Sequence, residues 1–374
     1  MDLTTVLLIC AVVAGLSGGM AARYRRWGTA LSDIATGVLV TALLMTVSIV
    51  ILVLAAGLDI FGITHLVYLV IVVGFPIAAL WIAIPHLLDA DHRTPFLGWV
   101  LLICGGVAAL LGVWATHVEP FRLQVDTQIL GATGATQPVV IGVIADVHAT
   151  SIGSHELAAI DLVLAEDPDI VVIPGDLFQL DQADIATRIP ELLGWLRLLR
   201  NEVAHVVLVN GNVDVQDTLA DLAVESGSHY LDDVLLELEV GNQAVTIVGM
   251  SVDAEREPSS IDPFLLEELQ MTKRRNDLVI ALSHYPDVVL ELTPRSPIDL
   301  IISGHTHGGQ VALPGIGPVL TSSDVPPEVA AGGLHVVNGH PIYVSTGVGV
   351  ERGQAPQLRF GASPSVAVIT IVPA

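Results

Sequence analysis

The chain has 374 residues, 52% of them hydrophobic and only 14% charged, where an ordinary soluble domain carries about 25% charged residues. Its first 120 residues hold six acids and four arginines, a net charge of −2, and the other 254 hold 33 acids and 11 basic residues, a net of −22. That division excludes one uniform globular domain and a disordered chain, and it argues against a general nucleic-acid or polyanion binder, because so acidic a domain repels phosphate backbones wherever no bound cation reverses the local field.

Four runs without Asp, Glu, Lys or Arg come first, at 3–22, 34–58, 60–88 and 94–118. Each reaches the roughly 20 apolar residues that cross a bilayer core as a helix. Repeated four times, that length predicts an all-α transmembrane region over 1–120, with spans at about 3–22, 34–58, 62–86 and 95–117. The first run is diluted by Gly15, Ser17, Gly18 and Gly19. It lacks the basic start of a signal peptide, since Asp2 follows Met1. Arg25 and Arg26 read as a charged loop rather than a twin-arginine export signal, because the rest of that motif is absent. Arg23, Arg25 and Arg26 follow the first run and Arg93 follows the third, against Arg122 alone on the other side. Basic loops stay cytoplasmic, so the N-terminus and everything beyond Val118 are expected outside. The two cysteines, Cys10 and Cys104, lie within apolar runs and supply neither a disulfide framework nor a thiolate zinc site.

Residues 121–138 are rich in small residues without periodicity, which predicts a linker. From 139 to 374 the pattern changes to β-branched runs alternating with helical stretches. Strands are expected at 139–144, 170–173, 205–209, 235–240, 244–248, 278–282, 300–302, 342–344 and 366–371. Helices are expected at 154–165, with Ser154 as N-cap, and at 183–199 and 218–225. Alternation first and paired strands later predict an α/β sandwich with mixed sheets.

The chemistry-bearing residues fall just after these strands, where open α/β sheets place their ligand sites. Asp146 and His148 follow the first, Asp176 the second, and Asn212 and Asp214 the third. His284 follows the strand at 278–282, and His305 and His307 follow the strand at 300–302. Residues two apart in an extended segment project to one side, so Asp146/His148 and His305/His307 can each aim a pair at one cavity. Imidazole with carboxylate suits Mn²⁺, Fe²⁺ or Zn²⁺ and is too nitrogen-rich for a dedicated Ca²⁺ site. Taken singly, an Asp-x-His or a Gly-Asp is an ordinary loop feature. Five successive strand ends, each delivering Asp, Asn or His, are not.

On Asp146-Val-His148, Gly175-Asp176, Gly211-Asn212-Val-Asp214, His284 and Gly304-His305-Thr-His307, the sequence resembles the calcineurin-like metallophosphoesterases over 139–372. The Ser-Gly-His-Thr-His-Gly-Gly-Gln run at 303–310 is similar to a membrane-associated or exported branch of predicted phosphohydrolases, as are residues 342–349 and Arg359-Phe-Gly. The resemblance implies a four-layer α/β/β/α sandwich holding two divalent metal ions. By position, Asp146, His148 and His307 would bind the first ion, and Asn212, His284 and His305 the second. Asp176 would bridge them, with Asp176, Asn212 and His305 given the catalytic roles. Such a pair positions phosphate, generates hydroxide near neutral pH and stabilises the leaving oxygen. Two dications against two carboxylates leave about +2 to attract phosphate within an acidic domain. Gln179 stands where iron-binding relatives carry a tyrosine, which favours Mn²⁺ over a ferric ion.

One position departs from the family. Val213 replaces the histidine that usually follows Asn and donates to the phosphate or leaving group. General acid–base assistance contributes about 10²–10⁴-fold, so diesters and activated esters are the expected substrates, with His155, His335 and His340 as distant substitutes. Proximity to the bilayer points to phosphorylated small molecules or lipids, lipid-linked sugars or wall-polymer phosphates. Competing readings are a membrane sensor or transport-associated protein that binds a phosphorylated ligand without turnover, and a cytoplasmic-facing nucleotidase. Lys273-Arg274-Arg275 reads as a solvated helix end, Ser251–Glu255 as a loop after a strand, and Tyr285 as either facing the cavity or packing beside it.

Overall fold

The computed structural model describes residues 2–24, 30–88, 94–180, 182–250, 263–272 and 277–374, and the chain divides into two compact units. Arg25, Arg26, Arg93, Ser251–Glu255 and Lys273–Arg275 lie outside the described residues.

The first unit comprises Met1–Val118 with Glu351–Gln357. It contains α1 (Leu3–Tyr24), α2 (Ala30–Ala56), α3 (Ile60–Leu69), a π-helical turn at Val70–Gly74, α4 (Phe75–Leu88) and α5 (Pro95–His117). Among the described residues four helical stretches are long and apolar enough to cross a membrane: Leu3–Ala22, Ile34–Ala56, Ile60–Leu88 and Pro95–Phe121. The glycines that dilute the first stretch are contact surfaces. A Cβ on Gly15 would overlap the Gly74 carbonyl, and one on Gly19 would lie 2.7 Å from Trp81 Cβ. Small residues let apolar helices approach backbone to backbone where lipid offers no hydrophobic drive. Consistent with that, 39% of the first stretch is buried against 0% of the second, so α1 is the inner helix of the bundle. Gln354 belongs to this unit, accepting from Asp59 N at 3.1 Å and donating to Gly57 O at 3.1 Å.

The second unit comprises Glu119–Val350 and Leu358–Ala374. In chain order its elements are β1 (Gln124–Ala132), β2 (Val139–Val143), α6 (Ser154–Leu164), β3 (Ile170–Pro174), α7 (Gln182–Glu202), β4 (His205–Val209), α8 (Gln216–Ser226), β5 (His229–Tyr230), β6 (Val234–Val240) and β7 (Gln243–Met250). There follow α9 (Pro263–Thr272), β8 (Leu278–Ser283), α10 (Val288–Glu291), β9 (Leu300–Ser303), β10 (Ala312–Leu313), β11 (Gly317–Pro318), α11 (Pro327–Ala330), β12 (Gly333–Val337), β13 (His340–Val344) and β14 (Ser365–Pro373).

Two six-stranded sheets result, ordered β1-β14-β2-β3-β4-β5 and β12-β13-β9-β8-β7-β6. β2, β3, β4 and β5 run parallel, with β14 antiparallel to β2. In the other sheet β7, β8, β9 and β13 run parallel, with β6 and β12 antiparallel at the edges. Strand alternation sends successive side chains to opposite faces. Ile141, Val143, Ile170 and Val172 of one sheet share a core with Ile247, Leu278, Ile280 and Ile302 of the other. Their alternates Val171, Ile173, Val206 and Leu208 pack on Ile160, Leu196 and Leu219 of α6, α7 and α8. Val248, Val279, Ala281 and Ile301 pack on Leu269, Val288 and Val329 of α9, α10 and α11. This is the four-layer α/β/β/α sandwich expected.

Two local expectations are corrected. Much of the predicted linker is strand: β1 pairs in parallel with β14 from Gln124↔Ser365 to Ala132↔Pro373. Beyond it, Gln243 Oε1 accepts from Thr136 N at 2.6 Å and from its Oγ1 at 2.8 Å. An edge strand is held by its partner's backbone and needs no apolar run of its own, so Gln, Gly and Ala suffice. The cap of α6 is Gly153, not Ser154; its N–H donates to Glu156 Oε2 at 2.8 Å.

Candidate metal centre

Each expected residue sits one to five positions past a strand end: Asp146 and His148 after β2, Asp176 after β3, Asn212 after β4, His284 after β8, and His305 and His307 after β9. The two sheets therefore aim these ends at one place. The pairs do not converge by extended geometry, as the two-residue spacing suggested. Asp146, His148, Asp176, His305 and His307 all have φ between 45° and 71°. Non-glycine residues rarely enter this left-handed region, and they cluster at functional sites when the surrounding fold holds them there. Asp146, His148, Asp176, His284 and His307 are buried, whereas His305 is half-buried and Asn212 exposed, so the site opens on the Asn212–His305 side.

The donor atoms form two overlapping groups. Asp146, His148 and His307 bring ligand atoms within 4.8 Å of one another, and so do Asp146, Asp176 and His284. His148 Nε2 lies 2.9 Å from His307 Nε2. Asn212 Oδ1 lies 2.8 Å from His284 Nε2 and 3.0 Å from His305 Nδ1. Asp176 Oδ2 stands between the two sets, 3.4 Å from His148 Nε2 and 3.3 Å from His284 Nε2, where a bridging ligand belongs. Its other oxygen accepts from Val213 N at 3.1 Å.

Neighbouring acceptors settle which ring nitrogens are free. His148 Nδ1 donates to Gln179 Oε1 at 2.9 Å and His284 Nδ1 to Pro174 O at 2.9 Å, so each ring turns Nε2 toward the cavity. His305 is turned the other way. Its Nε2 donates to Ser322 O at 3.0 Å, which presents Nδ1. For His307 the neighbour is Arg359, whose Nη2 lies 3.3 Å from Nδ1. The Nε2 of His307 faces His148 Nε2 and is the atom it would offer a cation.

The electrostatics point the same way. Burial raises Asp146 to about 6, with Asp176 adding to the effect against His284 and His148. Burial and the neighbouring Asp176 likewise raise Asp214 to about 6. Burial works to lower His284, but Asp176 and Asp146 lift it to about 9. Burial, then His284, lowers His305 to about 3, and burial with His148 and Arg359 holds His307 well below the usual range. A dication would relieve both strains at once, neutralising carboxylates, replacing the proton that His284 attracts and drawing on the His305 and His307 imidazoles, which resist protonation. Asp146 Oδ2 is buried without a hydrogen-bond partner, and such an orphan costs free energy unless a cation or donor meets it. The residues fit a divalent pair.

Several residues play parts at the site that sequence reasoning did not assign to them. Gln179 was read only as an absent tyrosine, yet it orients His148. Asp214 accepts from Asp176 N at 2.8 Å, Gly211 N at 2.9 Å and Phe178 N at 3.1 Å, so two dications would face three carboxylates rather than two. Arg359, fully buried, returns one positive charge; burial lowers it only to about 10. Tyr285 packs its ring 4.2 Å from that of His305 and 5.2 Å from that of His284. His155, His335 and His340 do not replace the ring missing at Val213: they bond Val348 O, Gly332 O and Thr293 O.

Comparison with known proteins agrees with this chemistry. The family described as calcineurin-like phosphoesterase matches residues 139–309. An uncharacterized metallophosphoesterase of Bacillus subtilis (strain 168), YkuE, is 42% identical over 94 residues, covering 25% of this chain and 30% of that protein. An uncharacterized metallophosphoesterase of Aquifex aeolicus (strain VF5) is 26% identical over 279 residues, 71% of this chain and 97% of its own length. The phosphodiesterase YaeI of Escherichia coli (strain K12) is 34% identical over 93 residues, 25% of this chain and 32% of that protein. The chain thus spans about a third of the length of the Bacillus YkuE and Escherichia relatives.

Proposed function

Residues 139–309 form a calcineurin-like metallophosphoesterase domain, and from this we propose that the chain is a membrane-anchored, metal-dependent phosphohydrolase cleaving phosphodiester or phosphoanhydride bonds of a lipid- or envelope-associated substrate. One observation carries the proposal. Ligand atoms from five strand ends converge, and backbone or side-chain acceptors turn the free nitrogens of His148, His284 and His305 toward one another.

Asp146, His148 and His307 would hold the first ion, Asn212, His284 and His305 the second, and Asp176 would bridge. Two divalent ions, Mn²⁺ favoured with Fe²⁺ or Zn²⁺ also suited to the donor set, would supply Lewis-acid polarisation and a nucleophile at neutral pH. The residues do the rest. Asn212 and His305 form the open rim where phosphate enters, and Asp176 orients its bridging oxygen by accepting from Val213 N with the other. Val213 offers no proton to a departing alkoxide, and this favours diesters and activated esters, whose leaving groups need little protonation. The phosphodiesterase name of the Escherichia relative supports the same choice, and the apolar helices support a substrate at the bilayer.

The test is hydrolysis by the purified full-length chain in detergent, comparing bis-aryl diesters, aryl monoesters and alkyl monoesters with Mn²⁺ or chelator. Diester turnover should require metal and fall to background in Asp176→Asn. Metal-independent turnover, or preference for alkyl monoesters, overturns the reading; metal and phosphate binding without turnover supports the sensor instead.

A further inference from the structure

Arg359 has no accessible surface. It forms no hydrogen bond with a carboxylate among the described residues; Asp146 and Glu119 act on it only through their charge. Its donors are spent on neutral backbone. Nε donates to Gly349 O at 2.9 Å, Nη1 to Ala362 O at 3.2 Å and to His307 O at 3.4 Å, and Nη2 to Gly347 O at 3.2 Å and again to Gly349 O. Nη2 also lies 3.3 Å from His307 Nδ1.

Apart from Ala362, in the turn that follows Arg359 itself, these acceptors belong to two loops. One carries His307 beyond β9. The other, Gly347 to Gly349, backs Asp146: Gly349 N donates to Asp146 O at 2.8 Å, and a Cβ on Gly347 would fall 2.8 Å from Asp146 Cβ. His307 and Asp146 come from different sheets, yet both belong to the first trio of ligands. The second trio needs no such link, since His284 takes its orientation from Pro174 O and His305 from Ser322 O, with Asn212 Oδ1 within 3.0 Å of both rings. We propose that Arg359 is the positioning residue of the first metal site, its guanidinium tying the His307 loop to the loop behind Asp146 so that these two ligands meet. A planar fork with donors on three nitrogens can span both loops. A buried lysine, with donors on one nitrogen, cannot.

This rests on the two-metal reading, and the experiment separates the two. Full-length chain in detergent is stripped with chelator, titrated with Mn²⁺ alone, and scored by bound ions per chain and by the electron paramagnetic resonance of coupled against isolated Mn²⁺. The unaltered chain should take two ions with a coupled signal. Arg359→Met should keep one ion, with an isolated signal. The milder Arg359→Lys should weaken the first ion about 10–100-fold, the range for residues that orient metal ligands, and leave the second unchanged. Thermal unfolding without metal identifies a variant that fails to fold; Arg359→Lys then decides. Two coupled ions in both variants, or loss of both ions from a variant whose metal-free unfolding matches the unaltered chain, overturns the assignment. Fewer than two ions in the unaltered chain overturns the metal-centre reading and this assignment with it.

Discussion

Gln179 shows how much a single neutral side chain can decide. Its oxygen takes the Nδ1 hydrogen of His148, which fixes the tautomer that turns Nε2 toward the cavity. Gln179→Ala is therefore expected to weaken the first ion about 10–100-fold, measured by Mn²⁺ titration, while metal-free unfolding shifts little. Gln179→Glu, which keeps an acceptor, should recover most of the loss. That the candidate ligands gather at one place was legible in sequence because Asp, Asn and His are out of place immediately after buried β-branched runs. Their supporters were not. Gln179 lies 31 positions from His148, and Arg359 lies 52 from His307, and no local pattern marks a contact made only by tertiary folding. The left-handed φ of five ligands was equally hidden, since it is imposed by the fold and not by those residues' preference.

Among elements, legibility followed burial. β2, β3, β4, β8 and β9 are central strands, covered on both faces, and Val, Ile and Leu dominate them. β1 is an edge strand with alternating exposure, and its sequence resembles a tether. Its importance is testable by where a truncated, helix-free chain starts. A chain beginning at Glu119 retains β1, whereas one beginning at Val139 bares the β14 edge along the whole register from Ser365 to Pro373. Unpaired edges template aggregation, so the shorter chain should unfold at lower temperature and aggregate at concentrations where the longer stays monodisperse by light scattering. Equal behaviour would mean that β1 contributes little.

For the molecule as a whole, ion binding should appear as stability. Anything that binds only the folded state adds RT ln(1 + [L]/Kd), about 2.7 kcal/mol at 100 times Kd. Mn²⁺ should raise the unfolding midpoint of the full chain and chelator should lower it, with the rise absent in a chain that lacks Asp146 and Asp176 carboxylates. Topology is open to a separate measurement. With the arginines on the cytoplasmic side, protease added to spheroplasts should digest residues beyond Val118; protection until lysis would place the domain inside.

The candidate ligands are divided between sheets that are far apart in the chain: His148 and His307, 159 positions from one another, bring their Nε2 atoms to 2.9 Å. A ribosome therefore releases Asp146, His148, Asp176 and Asn212 well before any partner from β8 or β9 exists. The early half offers neither proposed site its full set of donors, so completion of both waits until the second sheet has docked. Ion identity is then chosen late, by whichever divalent metal is abundant where folding finishes, because affinity alone discriminates poorly among first-row metals. If the domain is exported, as the placement of the arginines predicts, that place is beyond the membrane, outside the reach of the cytoplasm's own metal supply.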